Sequence, residues 1–183
     1  MNENYFNNVD DFLENWEEID DEVFLKLSWK GKFGDEIFTE VNICGDYDEN
    51  KDVLKNTLAY ISNNFEKIYF NMLSAILPVV KQWGMANKNT NEKVLTLEDL
   101  NSAKLPQNYI EAIQINCSDT KKEQAYYSII FRIDYNLYGY DDGMEVVMFG
   151  DNVVFWSDGN TREYLFEFRE HKGEITYFGE KNL

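Results

Sequence analysis

Apolar positions recur along this chain in two rhythms, one of three to four residues and one of two. The helical rhythm comes first, over residues 8–19. There Val9, Phe12, Leu13, Trp16 and Ile19 share one face, while Asp10, Asp11, Glu14, Glu17 and Glu18 take the other. Asn7 or Asn8 stands where a helix needs an N-cap, because its side-chain oxygen accepts from the free amides of the first turn. The two-residue rhythm then takes over. Residues 22–30 alternate through Val23, Leu25, Leu27 and Trp29, and residues 36–44 through Ile37, Val41 and Ile43. Lys30, Gly31, Lys32, Phe33 and Gly34 supply turn chemistry between them, so the pattern predicts a hairpin.

The longest regular signal follows. Leu54, Leu58, Ile61, Phe65, Ile68, Met72 and Ile76 step by fours and threes, the buried stripe of one long helix. Asn50 or Asp52 can cap its start. Pro78 kinks the helix or ends it near Leu77, since the ring removes a backbone donor and crowds the preceding turn. If the helix continues, Gly84 is its natural stop.

Beyond it, residues 86–93 read as a polar loop. Thr96 with Asp99 frames a short helix over residues 97–103, which ends before Pro106. The rest alternates: strands are predicted over residues 109–117, 125–135, 143–149, 153–156, 163–169 and 174–178. The turns Gly150-Asp151-Asn152, Asp158-Gly159-Asn160 and His171-Lys172-Gly173 are too tight for parallel crossovers, so this half should be an antiparallel meander. The expected architecture is one α+β domain over residues 1–183. An antiparallel sheet packs on one long central helix, and residues 1–22 form a short acidic N-terminal helical segment.

Composition agrees and adds one asymmetry. The 183 residues are 44% hydrophobic and 28% charged, as in an ordinary globular domain, and 16% aromatic, which suits a half-buried sheet. The formal charge is -17, and nine acids with no base occupy the first 22 residues. Such a field draws in cationic surfaces and repels phosphate backbones and anionic membranes, so neither nucleic acid nor membrane is expected as a partner. Met1-Asn2-Glu3-Asn4 has no basic n-region, no apolar run approaches a membrane span, and Cys44 and Cys117 form no C-x-x-C pair. A cytoplasmic protein with two reduced, buried thiols is the expectation.

Catalytic chemistry finds little footing. His171, the single histidine, falls in a predicted hairpin turn, and no Walker loop, G-x-G-x-x-G or G-x-S-x-G occurs. Asp46, Asp48 and Asn50 match the first ligands of a calcium loop, but Lys51 replaces its glycine and Thr57 its closing glutamate. No metal ligands and no cofactor are therefore assigned. Asp141 and Asp142, at a strand entry before Gly143, are the candidate acids of a pocket that Trp156 would help line.

Two segments resemble a group of small bacterial proteins of uncharacterised function, relatives of which are discussed with immunity proteins of toxin systems. One is Leu54-Lys55-Asn56-Thr57-Leu58-Ala59-Tyr60-Ile61, after the Trp29/Gly31 hairpin; the other is Asp141-Asp142-Gly143-Met144-Glu145-Val146-Val147. In that group an acid, often a histidine, a glycine and a leucine or methionine open such a strand pair. Here Asp142 stands at the histidine place. The resemblance implies an immunity protein that neutralises a toxin by direct binding.

Charge and resemblance together lead to a cytoplasmic binding protein for a basic protein partner. Asp10, Asp11, Glu14, Glu17, Glu18, Asp20 and Asp21 are its candidate contacts. The alternative is a small-molecule- or metal-dependent enzyme with its site at the Asp141–Gly143 loop. A third reading, an acidic helix imitating a nucleic-acid backbone, needs a longer row of carboxylates than about three helical turns can offer.

Overall fold

The computed structural model describes residues 4–19, 21–29, 37–45, 48–86, 110–121, 123–131 and 144–157. Within them lie seven strands and two α-helices in the order β1 (Asn4–Phe6), α1 (Val9–Asn15), β2 (Val23–Leu27), β3 (Ile37–Cys44), α2 (Lys51–Ala86), β4 (Ile110–Lys121), β5 (Gln124–Phe131), β6 (Met144–Phe149) and β7 (Asn152–Ser157). The strands form one sheet in sequential order. The helix-on-sheet α+β architecture expected from the periodicities is what the chain adopts.

The sheet is mixed, which is a refinement of the antiparallel expectation. β2–β3, β4–β5, β5–β6 and β6–β7 are antiparallel, so the meander holds. β1–β2 and β3–β4 are parallel. A parallel pair needs a crossover, and a helix stands in each: α1 between β1 and β2, α2 between β3 and β4. Both helices consequently pack on the same face and touch each other. β1 leaves no periodic signal, because three residues are too few to show one.

α2 is the spine of the core. The six predicted stripe positions Leu54, Leu58, Ile61, Phe65, Ile68 and Met72 are all at most 1% exposed. Burying a side chain of this kind is worth about 1.5–3 kcal/mol. Tyr69 and Leu73 widen the stripe. Ile76 lies beyond the described side chains. The helix does not stop at Leu77: it runs through Pro78 to Ala86, a length of about 54 Å, and its first turn follows a 3-10 turn over Asp48–Asn50.

Opposite α2, the core-facing positions of the sheet alternate as predicted. Val23, Leu25 and Leu27 on β2 and Val41 on β3 meet Ile113, Ile115, Tyr127, Ile129, Val146 and Met148 from the later strands. Polar ties join the layers. The Ser62 hydroxyl donates to the Lys26 carbonyl at 2.9 Å, and the Ser28 amide donates to the Ser62 carbonyl at 2.6 Å. Thr57 donates to the Val53 carbonyl at 2.7 Å and accepts from the Ala125 amide at 2.8 Å. The β6–β7 turn places Gly150 at φ +57°, where glycine carries no steric penalty.

Several expectations fall outside the described residues: the short helix at 97–103, the strands at 163–169 and 174–178, the turn at Asp158, and His171.

Candidate interaction surfaces

The N-terminal acids are displayed by a helix tied firmly to the core. Asn8 is the N-cap: its Oδ1 accepts from the Asp11 amide at 2.8 Å, and its Nδ2 donates to the Asp11 carboxylate at 2.6 Å. Phe12 is fully buried and meets the Phe6 ring edge-on at 5.7 Å. Val9, Leu13, Trp16 and Ile19 pack, partly buried, against the same core, the last two on and just after a 3-10 turn, Trp16–Glu18, that extends α1.

With the apolar face so committed, Asp10, Asp11, Glu14, Glu17 and Glu18 are all turned to solvent. Asp10 forms an ion pair with Lys55 of α2 at 2.6 Å. That hydrogen bond, with the Asp10 charge behind it, raises the Lys55 pKa, and Asp52 and Glu14 add to the effect. Both partners are more than half exposed, so the pair adds little stability. Glu17 and Glu18 form no ion pair among the described residues and stand at the helix end where the dipole favours a cation. Asp21 is exposed just before β2, and Asp20 lies outside the described residues.

The opposite face of the sheet carries a second surface. Register aligns Tyr5, Phe24 and Glu40 in one row across β1, β2 and β3. Tyr5 stacks at 5.0 Å on Phe24 and meets Phe38 edge-on at 5.1 Å. These residues, with Thr39, Ile110 and Glu111, line a concavity of about 450 Å³ beside the bulge that separates Ile110 from Ala112. No motif in the sequence marks it. Its signal was the polar-side alternation Phe24, Phe38, Glu40, which reads only as an outer face until the strands are paired.

A third cluster gathers where the β6–β7 turn meets α2. Asp151 forms an ion pair with Lys67, and its carbonyl accepts from Asn71 Nδ2 at 2.8 Å. The Tyr127 hydroxyl donates to the neighbouring Gly150 carbonyl at 2.5 Å. The Lys67 hydrogen bond lowers the Asp151 pKa, while burial and then Asp151 raise that of Tyr60. A carboxyl held ionised in this way is poorly matched to proton abstraction near neutral pH and well matched to clamping a turn onto a helix. An open cavity of about 350 Å³ adjoins it, lined by Asn71, Ser74, Ala75, Asp151, Asn152 and Val153.

The pocket expected around Asp141 and Asp142 cannot be assembled from the described residues, because both acids lie outside them. Its third member, Trp156, pairs with Val146 across β6–β7 and packs partly buried against the core. Cys117 is buried as expected, but Cys44 is only half-buried. Its thiol donates to the Ile115 carbonyl at 3.3 Å. Cys44 sits opposite Asn116, so the two thiols point to opposite faces of the sheet. Burial, with Cys44 as a smaller influence, pushes the Cys117 thiol up to about 11.

Among the described residues, no group of three or more His, Cys, Asp or Glu side chains could hold a metal ion, and no helix is long and apolar enough to cross a membrane. Comparison with protein-family models, curated proteins and solved structures finds no match.

Proposed function

We propose that this chain is a binding protein for a basic protein partner, and that its role is that of an immunity protein neutralising a basic toxin by direct contact. One observation supports the reading above the others. α1 is anchored through Phe12, so its exposed acids form a surface of fixed shape and not a floating tail. A preformed acidic surface steers a cationic partner to the encounter and loses no backbone entropy on binding.

The test is affinity capture from the native cell with the wild type and with a variant carrying Glu14→Gln, Glu17→Gln and Glu18→Gln. The reading expects a basic protein that the wild type retains and the neutralised variant, folded by circular dichroism, releases. Coexpression of the wild type with that protein should restore growth. A partner held equally by both forms would overturn it.

A further inference from the structure

On the sheet face turned away from α2, we infer a docking site for an arginine side chain of a protein partner, built from Tyr5, Phe24, Phe38 and Glu40. This site is separate from the acidic helix, which lies with α2 on the other face, and it does not depend on the reading above.

Two features of the concavity, its walls and its rim, select its occupant. Its walls are aromatic: Tyr5 and Phe24 are tilted by 33°, while Phe38 stands at 74° to Tyr5, so π-faces and edges border one space. Tyr5 is 45% exposed and is the one exposed large hydrophobic side chain among the described residues. Its rim is acidic, with Glu40 beside Phe24 in register and Glu111 on the bulged start of β4. Glu40 accepts from Asn42 Nδ2 at 2.8 Å through Oε1, which orients the carboxylate, and among the described residues it has no cationic partner.

An anion would be repelled by Glu40. A neutral apolar group would strip water from Glu40 and return nothing. A cation satisfies both walls and rim, through attraction to the ring faces and a charge-assisted hydrogen bond to the carboxylate. Between the two basic side chains, guanidinium fits better. It is planar, stacks on aromatic rings, is more weakly hydrated than ammonium, and presents a rigid fork of donors to the Glu40 carboxylate. The charge of -17 makes a cationic side chain from a partner protein the complementary occupant.

The probe is the blocked tripeptide acetyl-Gly-Arg-Gly-amide, titrated into the full chain while the ring resonances of Tyr5, Phe24 and Phe38 are followed by NMR. Its citrulline analogue keeps the shape without the charge. Saturable shifts are expected for the arginine peptide, with affinity weaker by about tenfold for citrulline and about threefold or more for lysine. Glu40→Gln and Tyr5→Ala should each weaken arginine binding by roughly fivefold. Both sites are at the surface, and Glu40→Gln is isosteric, so folding is not at stake. The Glu14→Gln, Glu17→Gln, Glu18→Gln variant should bind within about twofold of wild type, which keeps this outcome separate from that of the acidic helix. Equal binding of citrulline or lysine, no saturable shift, or indifference to Glu40→Gln would overturn the assignment.

Discussion

Phe12→Ala is the sharpest perturbation of the acidic segment, because it removes the anchor and leaves every charge in place. Phe12 is 0% exposed, and its edge-on partner at 5.7 Å is Phe6 of the strand that α1 connects to β2. Phenylalanine-to-alanine changes in cores cost about 3–5 kcal/mol, of which an aromatic pair accounts for about 0.5–1.5 kcal/mol. The site lies at the sheet edge, where neighbours can relax, so the lower end, about 3 kcal/mol, is expected. With a urea slope of about 2–3 kcal/mol/M, the unfolding midpoint should fall by roughly 1–1.5 M. Urea titration followed by far-UV circular dichroism reads this directly. A midpoint shift below about 0.3 M would show that α1 lies outside the cooperative core, and the fixed acidic surface would go with it.

Other outcomes probe the remaining joints. Thr57→Val removes the hydroxyl that accepts from the buried Ala125 amide and should cost about 1–3 kcal/mol in urea unfolding; a loss under about 0.5 kcal/mol would mean the amide finds another partner. Asp151→Asn tests the α2 clamp through pH. Lys67 depresses the folded-state pKa of Asp151, so its contribution is complete above the unfolded value of about 3.9 and disappears as pH falls through the lower folded value. The wild type should therefore melt above Asp151→Asn at pH near 6, and the gap should close with acidification below about pH 4; a constant gap would contradict the ion pair. Thiol alkylation of the native chain at pH near 8, located by mass spectrometry, should label half-buried Cys44 well before Cys117, whose thiol burial pushes up to about 11. Equal rates would refute the burial of Cys117.

Much of this fold could be read from periodicity, and the reasons for the gaps are physical. The stripe from Leu54 to Met72 fixed α2 because one apolar face in a 3.6-residue period has no other use, and alternation located β2, β3 and the meander. Parallel pairing was not legible. Strand direction depends on what the connection spans, and a helix between two strands does not say which neighbour the second strand joins. Pro78 allowed either continuation or termination, because a proline ring kinks some helices and ends others; here α2 continues to Ala86. The N-terminal acids were visible by composition; that they stand on a fixed platform required β1, which is too short to detect. The aromatic row on the open face needed strand register, because Tyr5, Phe24 and Phe38 are distant in sequence and meet only across hydrogen-bonded strands.

The most direct test of the anchored acidic surface is the salt dependence of the affinity for the captured basic protein. Raising salt from about 50 mM to about 500 mM shortens the screening length from roughly 14 Å to roughly 4 Å. Calorimetric titration of the wild type should show Kd weakening by at least about tenfold across that range, with a much flatter response for Glu14→Gln, Glu17→Gln, Glu18→Gln. Matching salt slopes for the two forms would contradict the account.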